Sequence, residues 1–287
     1  MPLYGLSQYR QGHNERASLG PGAAMYQFQY HKASSVDDAL KKLSGADDGK
    51  ILAGGMTLLP TMKQRLAAPS DLIDLAGIKD LKGIKVDGSS VTIGAMTTHF
   101  EVHSSVDIQK AIPALAALAG LIGDPMVRHR GTIGGSLANS DPSADYPAAV
   151  IGLGATIKTN SRKIAADDYF KDLFETALGD DELIVSVSFP IPKRAAYQKF
   201  PQPASRYAMV GVMVAETVDG IRVGVTGAGP CAFRVPEMEK ALTAKFAPDS
   251  VADIKVSSDG LNSDIHGSNE YRAHLVTVMA KRAVADA

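Results

Sequence analysis

The chain is poor in the residues that would build a disulfide scaffold, a metal cluster or a membrane anchor. Its 287 residues include one cysteine, Cys231, and no tryptophan. One thiol cannot make an intrachain disulfide framework, nor ligate an iron–sulfur cluster unaided. Its ordinary role is a small turn or core residue after Gly229–Pro230. No apolar run approaches the roughly 20 residues that span a bilayer. An excess of one charge is missing too: 30 basic and 31 acidic residues leave a net charge of −1, which argues against a nucleic-acid partner. Nothing resembles the apolar stretch of an export signal, so a cytoplasmic location is expected.

Several chemical signatures are also absent. There is no G-x-G-x-x-G after a strand, no G-x-x-x-x-G-K-[ST] and no G-x-S-x-G elbow. Of seven histidines, only His99 and His103 have helical i, i+4 spacing, and they lack the H-E-x-x-H order. A solvated helix face is expected for that pair, and no metal site. Asp141, Asp145, Asp167 and Asp168 read as caps or turn formers, and no catalytic acid, base or nucleophile stands out.

What is present is a pair of Gly-Gly stretches. Residues 132–145 read TIGGSLANSDPSAD, and residues 51–60 read ILAGGMTLLP. Adjacent glycines let backbone amides approach an anion and permit dihedrals that a Cβ forbids. In the earlier stretch a strand, a glycine turn and a helix start at Thr57 follow one another, the arrangement that offers free N–H groups to phosphate. The two stretches are expected to face each other across one phosphate-rich ligand, and Gly134→Val to block that ligand. Asp145 closes the second stretch, where a carboxylate can accept from ribose hydroxyls. Residues 197–207 (YQKFPQPASRY) put Tyr197, Phe200 and Tyr207 beside Lys199 and Arg206. Such a strand either lines a planar ring or is an amphipathic surface strand.

Apolar content of 45% and charged content of 21% are those of a globular chain long enough for two or three subdomains. Residues 26–31 alternate as a short strand, and Ser34 or Ser35 caps a helix bearing Val36, Ala39, Leu40 and Leu43 on one face. Strands are predicted at 50–53, 72–75, 83–86 and 91–95, the last two joined at Asp87–Gly88. The helix from Thr57 reaches about Leu66, and Thr97–Thr98 precede a short helix over 100–104. Residues 108–121 form a buried helix that Pro113 interrupts, and 147–154 pack inside. Strands follow at 183–189, 196–200, 210–217 and 221–226, with a hairpin at Asp219–Gly220. The chain closes on a helix whose Tyr271, Leu275, Val278, Met279 and Arg282 share a face. Residues 1–24 are expected to be a flexible extension.

Five segments in order resemble one family, the FAD-binding medium subunit of molybdenum hydroxylases of the xanthine dehydrogenase and aerobic carbon monoxide dehydrogenase type. They are FQYHKASSVDDAL, AGGMTLLPTMKQRL, IGAMTT, RGTIGGSLANSDPSADYPA and HGSNEYRAHL. The resemblance covers about residues 25–285. It implies an α+β protein: a two-part FAD-binding domain of the vanillyl-alcohol-oxidase (PCMH) type over 25–180, divided into 25–80 and 81–180. A smaller C-terminal α+β domain over 181–287 resembles the carbon monoxide dehydrogenase flavoprotein C-terminal domain.

By that resemblance Ile51, Leu52, Ala53, Gly54, Gly55, Met56, Thr57 and Leu58 wrap the FAD pyrophosphate from one side. Thr132, Ile133, Gly134, Gly135 and Ser136 do so from the other. Asp145 matches a carboxylate near the ribose or adenine end, and Ile184 an apolar flavin contact. Lys199 matches a lysine near the isoalloxazine, and Tyr197 an aromatic stacked near that ring. Two spellings depart from the family: AGGMT where His or Gln and then Ser are frequent, and TIGGS where Asn is usual. The resemblance further implies a large molybdopterin-binding subunit and a small subunit with two [2Fe–2S] clusters, in a dimer of heterotrimers that serves an external electron acceptor. The alternatives are a self-contained FAD oxidoreductase of this fold and a flavin-free scaffold subunit.

Overall fold

The protein, described by a computed structural model over residues 25–287, divides at Lys79/Asp80 into two compact units. The expected extension at 1–24 lies outside the described residues. No helix among the described residues is long and apolar enough to cross a membrane.

The first unit is a three-stranded parallel sheet, β1 (Gln29–Lys32), β2 (Gly49–Leu52) and β3 (Asp71–Asp74), in the order β1-β3-β2. Parallel neighbours require crossovers, and α1 (Val36–Ser44) and α2 (Leu58–Lys63) occupy them. Ser35 caps α1 by accepting from the Asp38 amide, and Ala39 is its buried contact. The strand predicted at 26–31 begins only at Gln29, because pairing with β3 begins there. The helix predicted to reach Leu66 stops at Lys63. Arg65 has φ 59°, a left-handed conformation that ends a helix. Leu72, Ile73, Leu75 and Met62 form the unit's interior.

The second unit holds two larger sheets. A five-stranded antiparallel sheet runs β4 (Ile84–Val86), β5 (Ser90–Gly94), β10 (Ile184–Pro190), β6 (Thr156–Thr159) and β7 (Lys163–Ala165) in spatial order. The β4–β5 turn is the predicted one, with Asp87 accepting from the Ser89 and Ser90 amides. Helices follow in chain order: α3 (His99–Ser104), α4 (Val106–Ala111), α5 (Pro113–Gly120), α6 (Pro125–Arg130), α7 (Ile133–Asn139) and α8 (Tyr146–Gly152). Thr98 and Glu101 close a capping box on α3. The helical stretch over 108–121 is interrupted where expected: Pro113 lacks an N–H and starts α5 as a second helix. A short helix, α9 (Ala166–Tyr169), leads to the small hairpin β8 (Phe170–Asp172) and β9 (Glu175–Thr176).

A four-stranded antiparallel sheet completes the unit: β11 (Arg194–Pro201), β12 (Ala208–Thr217), β13 (Gly220–Thr226) and β14 (Phe233–Arg234). The β12–β13 hairpin turns where Asp219–Gly220 predicts, Gly220 taking φ 117°. Both faces of this sheet are covered. Met213, Ala215 and Tyr197 join the core shared with α8, whose seven residues are all buried. Val210, Val212 and Val214 point the other way, onto α10 (Pro236–Ala244) and α11 (Asn269–Asp286). That period-2 alternation puts β12 at the centre of the unit.

The strand predicted at 196–200 is β11, and the rest of the 197–207 stretch is not strand: Gln202–Arg206 form a turn in which Arg206 has φ 61°. The terminal helix buries Leu275 and Met279 of the predicted face but leaves Tyr271 and Arg282 exposed, and the inward stripe is shifted to take in Arg272, Val276, Ala280 and Ala283. Arg272 is the physical reason. It is 3% exposed, and its guanidinium donates to the Met209 and Gly227 carbonyls at 2.9 and 3.0 Å and to Asp264 at 2.8 Å. A buried cation fixes the rotation of a helix more firmly than an apolar stripe, because unpaired charge inside is costly.

Arg272→Met is therefore expected to lower stability by about 2–4 kcal/mol, since two sheet-end carbonyls lose their donor. Urea denaturation at neutral pH measures it.

Candidate functional site

Each Gly-Gly stretch has to be built from its own unit. In the first, β2 ends at Leu52, and the chain reaches the start of α2 through Ala53, Gly54, Gly55, Met56 and Thr57. Gly55 has φ +74°, which L side chains rarely adopt. Among the described residues, the amides of Gly54, Gly55, Met56 and Thr57 donate to no acceptor. Thr57 is the N-cap of α2 yet makes no side-chain cap bond, and Met56 and Thr57 are exposed. Ile51 and Leu52 belong to the sheet, and Leu58 opens the helix. Four consecutive unpaired donors ahead of a helix are chemically fitted to an anion.

The second stretch differs from its sequence reading as a loop. Residues 133–139 are helix α7, capped by Thr132, whose Oγ1 accepts the Gly135 amide at 3.1 Å. Its amides are already used: Ile133 donates to the Thr97 carbonyl, Gly134 to Ala95 and Ser136 to Thr132. Gly134 answers to packing. A Cβ there would meet the Ala95 Cβ at 2.6 Å and its carbonyl oxygen at 2.7 Å. The expectation that Gly134→Val acts on a bound phosphate is thus corrected: valine would first pry α7 from the strand end. Ala95 also donates to the Val185 carbonyl, which places α7 beside the start of β10 and buried Ile184. Gly135 and Ser136 are half-buried, and the Ser136 hydroxyl has no partner among the described residues.

From α7 the chain turns at Ser140 (φ 45°) and crosses an Asp141–Ser143 turn to Asp145, at the start of α8. The turn is pinned to the four-stranded sheet. Thr226 Oγ1 donates to the Pro142 and Ala144 carbonyls at 3.0 and 2.7 Å, and the Gly227 and Ala208 amides reach Pro142 and Ser143. Asp145 is thereby presented to β11. The Tyr197 hydroxyl donates to Oδ1 at 2.6 Å, and Lys199 Nζ lies 2.9 Å from Oδ1 and 3.0 Å from Oδ2. Lys199 also donates to the Leu121 carbonyl at 3.1 Å. Both charged side chains are 4% exposed. Burial pushes the Asp145 carboxyl up, against the pull of Lys199 and the Tyr197 hydroxyl. Burial and the Asp145 charge raise the Tyr197 phenol well above its ordinary value.

The structure thus joins Asp145, Tyr197 and Lys199, three residues far apart in sequence, into one hydrogen-bonded cluster. Separately it joins 132–136 to Ile184. Sequence reasoning passed over Thr226, Leu121 and Gly211, which shape the cluster. None carries a motif, and only strand register brings them together. His99 is a correction. It was expected on a solvated helix face, yet it is 5% exposed, packed 5.3 Å from the Tyr146 ring, with Nδ1 unpartnered. Gly131 makes the space, since a Cβ there would sit 2.6 Å from His99 Nε2.

Comparison with known proteins bears on this geometry. Residues 26–192 match the family model described as the FAD binding domain in molybdopterin dehydrogenase, and residues 195–287 match the CO dehydrogenase flavoprotein C-terminal domain. The chain is 36% identical over 275 residues to the carbon monoxide dehydrogenase medium chain of Hydrogenophaga pseudoflava, covering 90% of this chain and 96% of that one. It is 35% identical over 273 residues to the nicotine 6-hydroxylase medium subunit of Paenarthrobacter nicotinovorans, with the same coverage. Among solved structures, a chain of the Hydrogenophaga pseudoflava carbon monoxide dehydrogenase superposes with a TM-score of 0.82 at 35% identity, covering 92% of this chain and 98% of that chain. A chain of quinoline 2-oxidoreductase from Pseudomonas putida 86 gives 0.83 at 28% identity, with the same coverage.

The buried imidazole makes a pH prediction. Burial, helped by Arg128, lowers His99 to about 4 from an ordinary 6.5. Between those values the unfolded chain binds a proton that the folded chain refuses. Stability from this site is complete above pH 6.5 and is lost as pH falls toward 4, by up to about 3 kcal/mol. His99→Leu is expected to lose less stability than wild type between pH 7.5 and 4.5 in denaturant titrations. Equal losses would rule out His99 as the titrating group.

Proposed function

The chain belongs to the family of FAD-binding medium subunits of molybdenum hydroxylases, and from that premise we propose that it is the electron-transfer flavoprotein subunit of a heteromeric oxidoreductase. The observation that carries this reading is that both family parts span residues 26–287 almost without a gap on a chain with one cysteine. A [2Fe–2S] cluster takes four protein ligands, so the clusters belong to a partner. The partners are a small [2Fe–2S] subunit and a large molybdopterin-binding subunit, in a cytoplasmic dimer of heterotrimers. Bound FAD supplies the redox chemistry, taking electrons from the partner's clusters and releasing them to an external acceptor.

The residues present fit that cofactor. The unpaired amides of Gly54–Thr57 meet the need of a pyrophosphate for N–H donors, with Ile51, Leu52, Ala53 and Leu58 framing them. In the second stretch the committed amides of 133–136 leave the half-buried Ser136 hydroxyl as the accessible polar group, on a helix start held by Thr132. Lys199 and Tyr197 bring a buried cation and a phenol to one carboxylate, which would fix the charge presented to a flavin held against this strand, while Ile184 offers an apolar contact beside 132–136. This chain therefore orients and electrostatically tunes the cofactor. Substrate choice belongs to the large subunit, consistent with similar identities to medium chains named for carbon monoxide and for nicotine.

Two measurements test the proposal. Gly55→Ala strains the left-handed turn and turns its amides away, so the Kd for FAD is expected to rise about tenfold. Titration of flavin fluorescence reads it, and unchanged affinity removes the first stretch from the site. Native purification is expected to bring down a larger and a smaller chain, with molybdenum and iron in the metal analysis. A yellow, metal-free chain that is active alone would overturn the subunit reading.

A further inference from the structure

The Asp145–Tyr197–Lys199 cluster exists because one position on β12 has no side chain. Gly211 lies in register between Lys199 on β11 and Thr226 on β13. Tyr197 is paired with Met213, two residues along, and its ring extends diagonally across the strand to reach Asp145. A Cβ at 211 would overlap the Tyr197 hydroxyl, lie 2.9 Å from Tyr197 Cζ and 3.0 Å from Thr226 Cγ2. Gly211 therefore borders two side chains with distinct tasks. Tyr197 donates to the carboxylate, while Thr226 holds the turn that carries it.

The backbone at Gly211 is regular strand and is not among the positive-φ glycines. Conformation does not require glycine here. Glycine in a strand interior gives up more chain entropy than alanine and packs nothing, and β12 is otherwise rich in valine and methionine. The physical return is the path of the phenol. We infer that Gly211 is a positioning residue of the flavin site: by leaving room for the Tyr197 ring it sets the hydrogen bond to Asp145, and through Asp145 the place of the Lys199 ammonium. The inference rests on the flavin reading of this cluster. Alanine would tilt the ring off the carboxylate, leaving Asp145 with Lys199 as its one side-chain donor.

The test compares the full chain as wild type, Gly211→Ala, Tyr197→Leu, Lys199→Met and the double variant Gly211→Ala/Tyr197→Leu. Flavin is removed and FAD titrated back, reading Kd from fluorescence and the cofactor's surroundings from its visible absorption band. Gly211→Ala alone is expected to weaken FAD about tenfold, the loss of one hydrogen bond to a charged group, and to shift the band. In the Tyr197→Leu background the same alanine is expected to change Kd by less than about twofold, since the group it displaces is gone. An alanine effect of equal size in both backgrounds overturns the inference, as does a folded Gly211→Ala protein with wild-type affinity and spectrum. If Gly211→Ala does not fold, recovery on adding Tyr197→Leu supports the inference, and no recovery overturns it by locating the clash at Thr226. The flavin reading fails on a different result. Unchanged FAD binding in both Tyr197→Leu and Lys199→Met removes the cofactor from this cluster, while thermal-unfolding midpoints still show whether 211 and 197 are coupled.

Discussion

A lysine and an aspartate buried together impose the tightest constraint on the larger unit. The Lys199 and Asp145 side chains are both 4% exposed, and either alone inside would carry a penalty of several kcal/mol, on the order of the stability of a small domain. The surrounding architecture keeps them together. Thr226 and the amides of Gly227 and Ala208 hold the turn before Asp145, while β11 delivers Lys199 and Tyr197 from the same strand face. Helix α8 starts at Asp145 and packs wholly inside, so the carboxylate and the core beneath it are fixed by one element. The turn before Asp145 and the strand that carries Lys199 are thus tied together through backbone hydrogen bonds.

The two Gly-Gly stretches look alike as text and differ as physics. Gly55 serves backbone conformation, and the amides around it are unpaired among the described residues. Gly134 serves close approach, letting α7 lie against Ala95 with its amides already bonded. The first behaves as a donor cradle, the second as a joint that sets α7 beside β10.

Much of the fold was legible because local chemistry decides it. Ser35 and Thr98 cap helices by accepting the expected amides, Pro113 starts a helix it could not have continued, and Asp219–Gly220 makes a hairpin. The misreadings share a cause. Residues 133–139 looked like a loop because their small side chains carry no apolar period, yet Thr132 caps them as a helix. The inward face of α11 was read only in part, through Leu275 and Met279, because its other decisive residue is an arginine, and a hydrophobic pattern gives a buried cation no weight. His99 looked solvated because the glycine that makes room for it lies 32 positions further on, at Gly131.

The sequence by itself determined several element boundaries near caps and turns, and the family. It could do so because caps, hairpins and ordered motifs are short-range or collinear signals. The resemblance set Asp145 at the ribose or adenine end and Lys199 and Tyr197 at the isoalloxazine, and did not foresee that the three meet. Only the tertiary structure decided which hydrogen bonds those residues make. The link between Asp145 and Lys199 depends on strand register and on the empty position at Gly211, and register follows from how two sheets and their helices bury apolar faces together.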